Sequence, residues 1–397
     1  MIIGLDARWI FREISGIGMV TRELIRELPR LAPADQFVLY FHDSLVRDRT
    51  ISETGVNLLP NIRSVLLKQD IFDPVSQLTM PHQLRRDCID LYHSTNYMLP
   101  LLAFSSRLTR RPVCVLTIHD LIPLLAPQET PHAIKTRLLP VFRCLLNSAV
   151  RRADAILTPS EASRTDLLRA LRIPAARHAS VVRVYNGVSP LFSPDTASDV
   201  RTPQAADDVV RPRRLLYVGR ADPYKNLPAL VEAFALARRR APWPLQLTIL
   251  GTPDTRYPEA TVRATALGLG PDAIHWTGYC DAAATLAAYR AADLLVHPAR
   301  HEGFGLPVVE AMATGLPVLA NDIPVLREVA GDSAGFADAN LPDLFAQAML
   351  DLLHDHARLS ALRAAGLLRA AAFTWRRAAM ETLAVYRVAV ARLDKAH

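Results

Sequence analysis

Two series of short apolar segments, each alternating with amphipathic stretches, constrain the fold of this chain more than any other feature. The first series runs from residues 2–5 to residues 181–184, and the second from residues 214–218 to residues 317–320. Short apolar strands that alternate with helical patterns are typical of a parallel sheet with helices on both faces. The chain is therefore predicted to be an α/β protein with two doubly wound domains, and its 397 residues suffice for two cores.

The alternation stops at residues 189–213, which contain four prolines and no apolar periodicity. This composition predicts an interdomain linker. We therefore expect one domain over residues 1–195 and another over residues 210–374, with a helical tail that is interrupted near residues 373–375. Ligands of doubly wound sheets bind beyond the carboxyl ends of the strands, so the cleft between the domains is the predicted site.

Composition argues against several classes of protein. Charged residues make up 21% of the chain and apolar residues 50%, which is not the balance of a disordered chain. No apolar run approaches the roughly 18 residues of a membrane-spanning helix, and the acid at Asp6 argues against a signal peptide. Four cysteines without a CxxC motif predict reduced thiols in a cytoplasmic protein. The net charge of +7 comes with no basic tract interleaved with aromatic residues, so no nucleic-acid partner is expected.

The segment HEGFGLPVVE at residues 301–310 follows a predicted strand at residues 294–297. Its two glycines allow the backbone to approach a ligand, and Pro307 suits the first turn of a helix, whose free amides bind anions. Glu302 and Glu310 could accept hydrogen bonds from the hydroxyl groups of a sugar or a ribose. The alternative is a glycine turn followed by an acid that stabilises the first turn of an ordinary helix.

The segment VGRADPYKN at residues 218–226 leaves the first predicted strand of the second domain and enters a helix. Arg220 and Lys225 flank a turn at the carboxyl end of that strand. A guanidinium fork and a compact ammonium are together suited to a diphosphate. The alternative is that both are ordinary solvated cations of a loop.

These segments resemble the signature of the retaining glycosyltransferases of family 4, which have the GT-B fold. Glu302 and Glu310 form the E-x7-E element of that family, and VGRADPYKN is similar to its strand–Arg–loop–Lys element. The resemblance extends to SGIGMVTREL at 15–24, YNGV at 185–188 and FTW at 373–375, so it covers nearly the whole chain. It implies two Rossmann-like domains that face a cleft, with the last helix, residues 375–397, crossing back to the first domain. It also implies that the first domain binds the acceptor and the second the donor.

The resemblance implies a role for each matching residue. Catalytic roles fall on His119, which would sit against the donor sugar, on Glu302, which would bind the sugar hydroxyls, and on the diphosphate-binding pair Arg220 and Lys225. Glu310 would accept hydrogen bonds from the ribose. The backbone of four further donor-binding residues would line the sugar and the phosphate: Gly303, Phe304, Gly305 and Leu306. Gly16 and Gly18, also counted as donor-binding, would let the glycine-rich loop at 15–24 approach the phosphate and the acceptor.

The same resemblance predicts the reaction and its partners. The expected reaction moves a hexose of the mannose or rhamnose type from a nucleotide diphosphate sugar, with GDP-mannose or GDP-rhamnose favoured. The acceptor would be a glycan or lipid-linked glycan of a surface polysaccharide, because HSTNY at 93–97 and HDLIPL at 119–124 look like segments of bacterial mannosyl- and rhamnosyltransferases. Same-face attack is expected, with the leaving phosphate taking the proton of the acceptor.

Two other functions remain open from the residues alone. An NAD-dependent oxidoreductase would use Gly16 and Gly18 as part of a GxGxxG motif, but Thr21 occupies the third glycine position. A non-catalytic sugar-nucleotide sensor would share the binding residues. No metal or other cofactor is expected, because the chain has no Asp-x-Asp motif and His354 and His356 lie on a predicted solvated helix face.

Two segments of the first domain have open interpretations. His119 ends an apolar strand, where it is either a satisfied strand-end residue or, as the resemblance favours, part of the site. Residues 131–152 form a basic amphipathic stretch, which Pro140 is expected to kink or split. This stretch is either an ordinary domain helix or one that lies on an anionic membrane surface, which would place the protein peripherally on the inner face of the membrane.

Overall fold

The computed structural model describes residues 1–105, 111–194, 211–252 and 254–394. Its described residues form two compact units. The first unit contains Met1–Leu125, Ile134–Gly187 and Thr374–His397, and the second contains Ala126–Ala133 and Val188–Phe373. Most of the predicted linker, residues 195–210, lies outside the described residues.

A parallel sheet forms the centre of the first unit. Its strands are β1 (Ile2–Asp6), β2 (Gln36–Phe41), β3 (Ile62–Leu66), β4 (Leu91–Ser94), β5 (Val113–Thr117), β6 (Ala155–Thr158) and β7 (Val181–Arg183). They pair in the order β3-β2-β1-β4-β5-β6-β7, and Leu5 of β1 lies between Leu39 of β2 and His93 of β4. The strand order reverses at β1, and such a reversal is where a doubly wound sheet opens a crevice at its carboxyl edge.

Helices cover both faces of this sheet. They are α1 (Gly16–Leu31), α2 (Ser44–Thr54), α3 (Ser76–Arg86), α4 (Ile122–Leu125), α5 (Ile134–Arg137), α6 (Leu139–Arg152) and α7 (Glu161–Ala170). Pro140 splits the predicted amphipathic stretch, since α5 ends at Arg137 and α6 begins at Leu139. A proline fits the first turn of α6, where its missing N–H is not needed.

The second unit is built on the same plan. Its strands are β8 (Arg213–Val218), β9 (Leu245–Leu250), β10 (Ile274–Gly278), β11 (Leu294–His297), β12 (Val318–Asn321) and β13 (Gly335–Ala337), in the order β10-β9-β8-β11-β12-β13. Its helices are α8 (Leu227–Arg240), α9 (Glu259–Ala266), α10 (Ala282–Ala291), α11 (Leu306–Ala313), α12 (Pro324–Ala330), α13 (Pro342–His354) and α14 (His356–Ala370). The two units therefore have the predicted doubly wound α/β architecture.

A short segment of the N-terminal half, Ala126–Ala133, belongs to the second unit. Arg300 Nη2 donates to Glu129 Oε2 at 2.8 Å, and the His132 ring centroid lies 5.3 Å from that of Tyr257. The sequence pattern did not predict that this segment belongs to the second unit, because the contacts join residues more than a hundred positions apart.

The last helix, α15 (Trp375–Asp394), returns to the first unit, as the fold prediction expected. Tyr386 on α15 hydrogen-bonds through its hydroxyl to His93 Nδ1 at 2.6 Å, and His93 Nε2 lies 2.7 Å from Thr117 Oγ1. Burial, and to a smaller extent the neighbouring His119, lowers the pKa of His93 to about 3. His93 is therefore a neutral link between the sheet and α15.

Candidate active site

Two adjacent loops of the second unit bring the predicted diphosphate and sugar residues together. Strands β8 and β11 are parallel neighbours, with Leu215 opposite Leu294. Because the carboxyl ends of parallel strands meet at the same edge, the loop after β8 and the loop after β11 lie side by side. The first loop carries Arg220 and Lys225, and the second carries Glu302.

Glu302 lies in a charged hydrogen-bond network with its side chain only 10% exposed. Its Oε1 accepts from Lys225 Nζ and, at 2.9 Å, from His297 Nε2. Burial raises the pKa of Glu302, but the Lys225 charge and the His297 hydrogen bond outweigh it and lower the pKa to about 2. Glu302 is therefore a carboxylate at neutral pH, and it is a weak base.

His297, which sequence reasoning missed, fixes the Glu302 carboxylate from the sheet side. It ends β11 and is fully buried. Its Nε2 carries the proton that the carboxylate accepts, and among the described residues its buried Nδ1 has no hydrogen-bond partner. The available signal was a single polar residue at the end of an apolar strand, five positions before Glu302.

The loop that carries Arg220 and Lys225 depends on its backbone conformation. Gly251 has a φ of +156° in the adjacent loop, and a Cβ there would lie 2.0 Å from the Gly219 carbonyl oxygen. Asn226 adopts a left-handed conformation, with a φ of 58°, and its Nδ2 donates to the Ala339 carbonyl at 3.1 Å. These contacts hold Lys225 against Glu302. Arg220 instead has a side chain 64% exposed, with Nε 3.0 Å from Asp222 Oδ2.

The segment after β11 turns into α11 at Gly305. Its φ of +90° is left-handed, and a Cβ there would lie 2.9 Å from Leu326 Cδ2, so the turn requires glycine. No side chain caps this end of α11, and Pro307 contributes no N–H. Phe304, by contrast, is buried with its ring centroid 5.6 Å from Phe373, so its side chain supports the turn. Gly303 and Leu306 flank these two residues and are partly exposed.

Glu310 has partners different from those of Glu302. It lies on α11 with 6% exposure, and its Oε2 accepts from the Tyr289 hydroxyl at 2.8 Å. Burial raises its pKa to about 7, although the Tyr289 hydrogen bond acts in the opposite direction. Glu302 and Glu310 therefore differ in protonation near neutrality, which their spacing in the sequence could not indicate.

The first unit carries His119 after β5. His119 is buried, and its Nε2 lies 2.9 Å from the Thr95 carbonyl oxygen. A carbonyl only accepts, so Nε2 carries the proton and Nδ1 of the neutral ring is left as an acceptor. Burial lowers the pKa of His119, although the Thr95 hydrogen bond raises it.

Gly16 and Gly18 lie within the first turn of α1 rather than in a loop before it. Ser15 caps this helix by accepting from the Gly18 N–H at 3.3 Å. A Cβ at Gly18 would lie 3.3 Å from the Trp9 carbonyl oxygen, so this glycine allows close packing of the helix end on the loop after β1. The predicted glycine-rich loop is thus a capped helix start. Gly16 itself is exposed.

Three donor groups that sequence reasoning missed lie on segments that follow β1, β4 and β5. Trp9 Nε1 and Asn96 Nδ2 are buried without a hydrogen-bond partner in the described part of the chain. The Asn96 orientation is fixed, because its Oδ1 accepts from the Tyr97 N–H at 2.8 Å. Lys135 Nζ lies 4.4 Å from the centroid of the Tyr97 ring, and burial lowers the pKa of this lysine. The Tyr97 ring also contacts Trp9, at 5.5 Å between centroids.

Within the described ranges, no group of three His, Cys, Asp or Glu side chains is arranged to hold a metal ion. His354 and His356 are exposed, and Asp355 between them caps α14 by accepting from the Arg358 N–H at 2.9 Å. None of the described helices is both long enough and apolar enough to cross a membrane.

Comparison with known proteins covers most of the chain. Residues 14–190 match the family described as Glycosyltransferase Family 4, and residues 203–368 match that described as Glycosyl transferases group 1. The chain is 28% identical to O-antigen chain mannosyltransferase B of Escherichia coli, over 94% of this chain and 96% of that protein. It is 34% identical to a D-inositol 3-phosphate glycosyltransferase of Kineococcus radiotolerans, over 61% of this chain and 58% of that protein.

Solved structures share the fold at low identity. A sucrose-phosphate synthase from Thermosynechococcus elongatus superimposes with a TM-score of 0.74 at 20% identity, over all of both chains. The Anabaena protein HepE, in complex with UDP and glucose, gives a TM-score of 0.73 at 19% identity, over 98% of this chain and all of the other.

Proposed function

Because the chain belongs to glycosyltransferase family 4 and has the GT-B fold, we propose that it is a retaining hexosyltransferase of surface-polysaccharide synthesis. The proposed donor is a nucleotide diphosphate sugar of the mannose or rhamnose type, with GDP favoured, and the acceptor is a glycan or lipid-linked glycan. The likeness to an O-antigen mannosyltransferase along nearly the whole chain supports this sugar and this pathway. The observation that carries the proposal is the Lys225–Glu302–His297 network at the carboxyl edge of the second sheet.

The network suits the breaking of a sugar–phosphate bond. The electron pair of that bond passes to a phosphate oxygen, and the acceptor hydroxyl oxygen forms the new bond to the anomeric carbon. The hydroxyl proton passes to the leaving phosphate. Lys225 and Arg220 lower the energy of the charge that develops on this phosphate, and fixed charges act most strongly in the transition state. The uncapped start of α11 adds the dipole of a helix N-terminus.

Glu302 is proposed to bind donor-sugar hydroxyls and not to attack the anomeric carbon. A carboxylate with a pKa of about 2 that already accepts from a lysine and a histidine is a poor nucleophile. The same carboxylate is a fixed, charged acceptor for hydroxyl groups. Glu310 is proposed to accept from the ribose hydroxyls.

The first unit is proposed to bind the acceptor, and its His119 is proposed as a donor-sugar residue. Trp9 Nε1 and Asn96 Nδ2, which no described residue hydrogen-bonds, and Lys135 beside the Tyr97 ring offer donors and an aromatic face to a sugar. Such a ring with polar groups around it favours a saccharide over an apolar ligand. Trp9, Asn96 and Lys135 are proposed for the acceptor alone, so the donor should bind without them.

A donor and acceptor panel tests the function. GDP-mannose, GDP-rhamnose, UDP-glucose and NADH are compared by thermal shift, since a ligand at a hundred times its Kd adds about 2.7 kcal/mol of stability. Glycan products from the donors that bind are analysed by NMR for the configuration of the new linkage. In the same assay Lys135→Met should raise the KM of the acceptor alone, with the exposed Lys68→Met as its control.

Each alternative has its own outcome in this panel. If no nucleotide sugar binds at millimolar concentration, the transferase proposal is wrong. Stoichiometric NADH binding would support the oxidoreductase hypothesis, which neither the family matches nor the relatives support. Donor binding without turnover on any glycan would leave a sensor, and inversion at the anomeric carbon would reject the retaining reaction.

Donor affinity is expected to fall as the pH falls below about 7, the pKa of Glu310. The ionised carboxylate accepts hydrogen bonds from ribose hydroxyls more strongly than the neutral acid, so each pH unit below that pKa weakens binding by up to about tenfold. Isothermal titration with GDP-mannose between about pH 6 and pH 8 measures this slope, since each of its two phosphate groups keeps one negative charge over that range. Glu310→Gln should remove the slope, and an unchanged slope in that variant would contradict the ribose role.

The same group links stability to pH. Its folded-state pKa of about 7 lies above the ordinary value of 4.5, so the folded state binds the proton more tightly. The contribution of Glu310 to the free energy of unfolding is thus fully present below pH 4.5 and is lost as the pH rises through about 7. The wild type should lose stability relative to Glu310→Gln over that interval.

The proposal includes peripheral association with the inner face of the membrane. Apolar side chains along α5 and α6 are exposed and recur at helical spacing: Ile134, Leu138, Val141 and Leu145. The exposed Arg137 and Arg143 lie between them in sequence. An apolar stripe bordered by arginine suits the surface of an anionic bilayer.

A further inference from the structure

Among the described residues, four arginines and a single carboxylate line a cavity of about 520 Å³ in the first unit. Arg111 lies two residues before β5, Asp154 lies directly before β6, and Arg177 lies in the turn before β7. Arg151 and Arg152 end α6 beside them. These positions all fall at the amino edge of the sheet. His119, Asn96 and Trp9 follow the carboxyl ends of the strands, and a five-residue strand spans about 17 Å. The cavity is therefore separate from the proposed active site.

The charges around the cavity are unbalanced. Arg111 pairs with the Asp154 carboxylate, and its Nη1 and Nη2 donate to the two Asp154 oxygens at 2.7 and 2.8 Å. Among the described residues, the guanidinium groups of Arg152 and Arg177 bond to main-chain carbonyls. Arg152 Nη1 donates to Ser148 O at 3.1 Å, and Arg177 Nη2 donates to Ala153 O at 2.6 Å. Over the described residues, no carboxylate lies within ion-pair distance of Arg151, Arg152 or Arg177.

These guanidinium groups are held in fixed positions, but the described residues do not satisfy all of their hydrogen-bonding capacity. The carbonyl bonds hold Arg152 and Arg177 in place, yet Arg152 Nε is buried without a hydrogen-bond partner among the described residues. Three neighbouring positive charges repel each other, and an anion in the cavity would relieve that repulsion. A guanidinium fork matches the oxygens of a phosphate group better than any other common anion of the cell except a carboxylate.

We propose that this cavity binds a phosphate group, and that an anionic membrane lipid is the source of that phosphate. The inference goes beyond the transferase function, since the cavity shares no residue with the proposed active site. Its position favours a lipid over a free phosphate. Leu145 of the exposed apolar stripe and Arg152 of the cavity are seven residues apart on α6, about 10 Å along the helix. The apolar stripe could therefore reach the boundary of the lipid acyl chains while the cavity binds the phosphate of a lipid headgroup.

The experiment compares two double variants of the full chain. Arg151→Gln with Arg152→Gln removes two charges from the cavity. Arg85→Gln with Arg86→Gln is the matched control, because that adjacent pair also ends a helix and is exposed. Binding to phosphatidylcholine vesicles with and without phosphatidylglycerol is measured by co-sedimentation. Circular dichroism and the thermal shift with GDP-mannose check that both variants are folded.

We expect the wild type to prefer the anionic vesicles, and the cavity variant to lose about twentyfold in affinity, since each arginine at an anionic surface contributes about fivefold. The control variant should lose less than about twofold because its helix end is elsewhere on the unit. Inorganic pyrophosphate should compete with the vesicles for the wild type.

Equal losses in the two double variants would overturn the proposal, because they would indicate a general effect of net charge. Pyrophosphate binding that depends on Arg151 and Arg152, without any preference for anionic vesicles, would overturn the lipid source and retain a soluble phosphate ligand. Donor hydrolysis measured without vesicles reports on the active site alone. Failure of the cavity proposal is therefore distinguishable from failure of the proposed function.

Discussion

Replacement of Lys225 by methionine is expected to lower kcat by about a hundredfold to a thousandfold, the loss typical of removing one preorganised group from a developing charge. The methionine keeps the apolar stem and removes only the ammonium that Glu302 holds in place. The donor KM should change much less, because the charge of Lys225 acts mostly on the leaving phosphate in the transition state. Steady-state kinetics with the donor identified by the panel measure both constants.

Two further variants make this result interpretable. Lys68→Met removes an exposed lysine at the same cost in net charge and should leave both constants unchanged. Lys225→Arg keeps the charge but not the compact ammonium, so it should restore only part of the rate. A loss confined to donor KM in Lys225→Met would contradict a role in the transition state. Circular dichroism should show that the variant is folded, since Glu302 retains His297 as a donor.

Replacement of Gly187 by alanine is expected to destabilise the first unit by about 3 kcal/mol or more, a value typical of severe overpacking. A Cβ at this position would lie 2.2 Å from the Trp375 backbone nitrogen and 2.5 Å from the Thr374 carbonyl carbon. Backbone atoms cannot yield as a flexible side chain would, so the start of α15 must move. Thermal unfolding and hydrogen exchange of the α15 amides measure the effect.

Gly268→Ala is the control for this change. Its φ of +67° is left-handed, but no atom lies within 4 Å of the added Cβ, so only the backbone strain of about 1 to 2 kcal/mol applies. Faster exchange in α15 should accompany Gly187→Ala and be absent from the control. Equal destabilisation by both substitutions, with α15 unaffected, would show that the overlap at Trp375 is relieved without cost.

The sequence predicted those elements that are buried on both faces. The runs at residues 113–118 and 294–297 are apolar apart from Thr117 and His297, and they form strands β5 and β11. Strand β3 (Ile62–Leu66) went unpredicted because it lies at the edge of its sheet and carries Arg63 and Ser64. An edge strand of this kind lacks the apolar signal that a central strand provides.

Partners within the site were less predictable than its members. The motifs indicated Lys225 and Glu302 separately, and the structure joins them across 77 residues of chain. Nothing in the local pattern indicates that Tyr289 bonds Glu310 or that Asn96 Nδ2 has no partner among the described residues, because both follow from packing between separate segments. The protonation state of Glu310 depends on the same packing, so it could not be read from the E-x7-E spacing.

The return of α15 to the first unit has a consequence for biosynthesis. Asp35 pairs with Arg387 across 352 residues, and Tyr386 reaches His93 across 293. A ribosome has therefore synthesised every residue of the second unit before it makes the helix that completes the first. The second unit can fold during translation as soon as it emerges, but the N-terminal sheet must wait with the surface of α1 that α15 covers still exposed to water. In the nascent chain, the first unit is therefore the one whose synthesis begins first and whose folding is completed last.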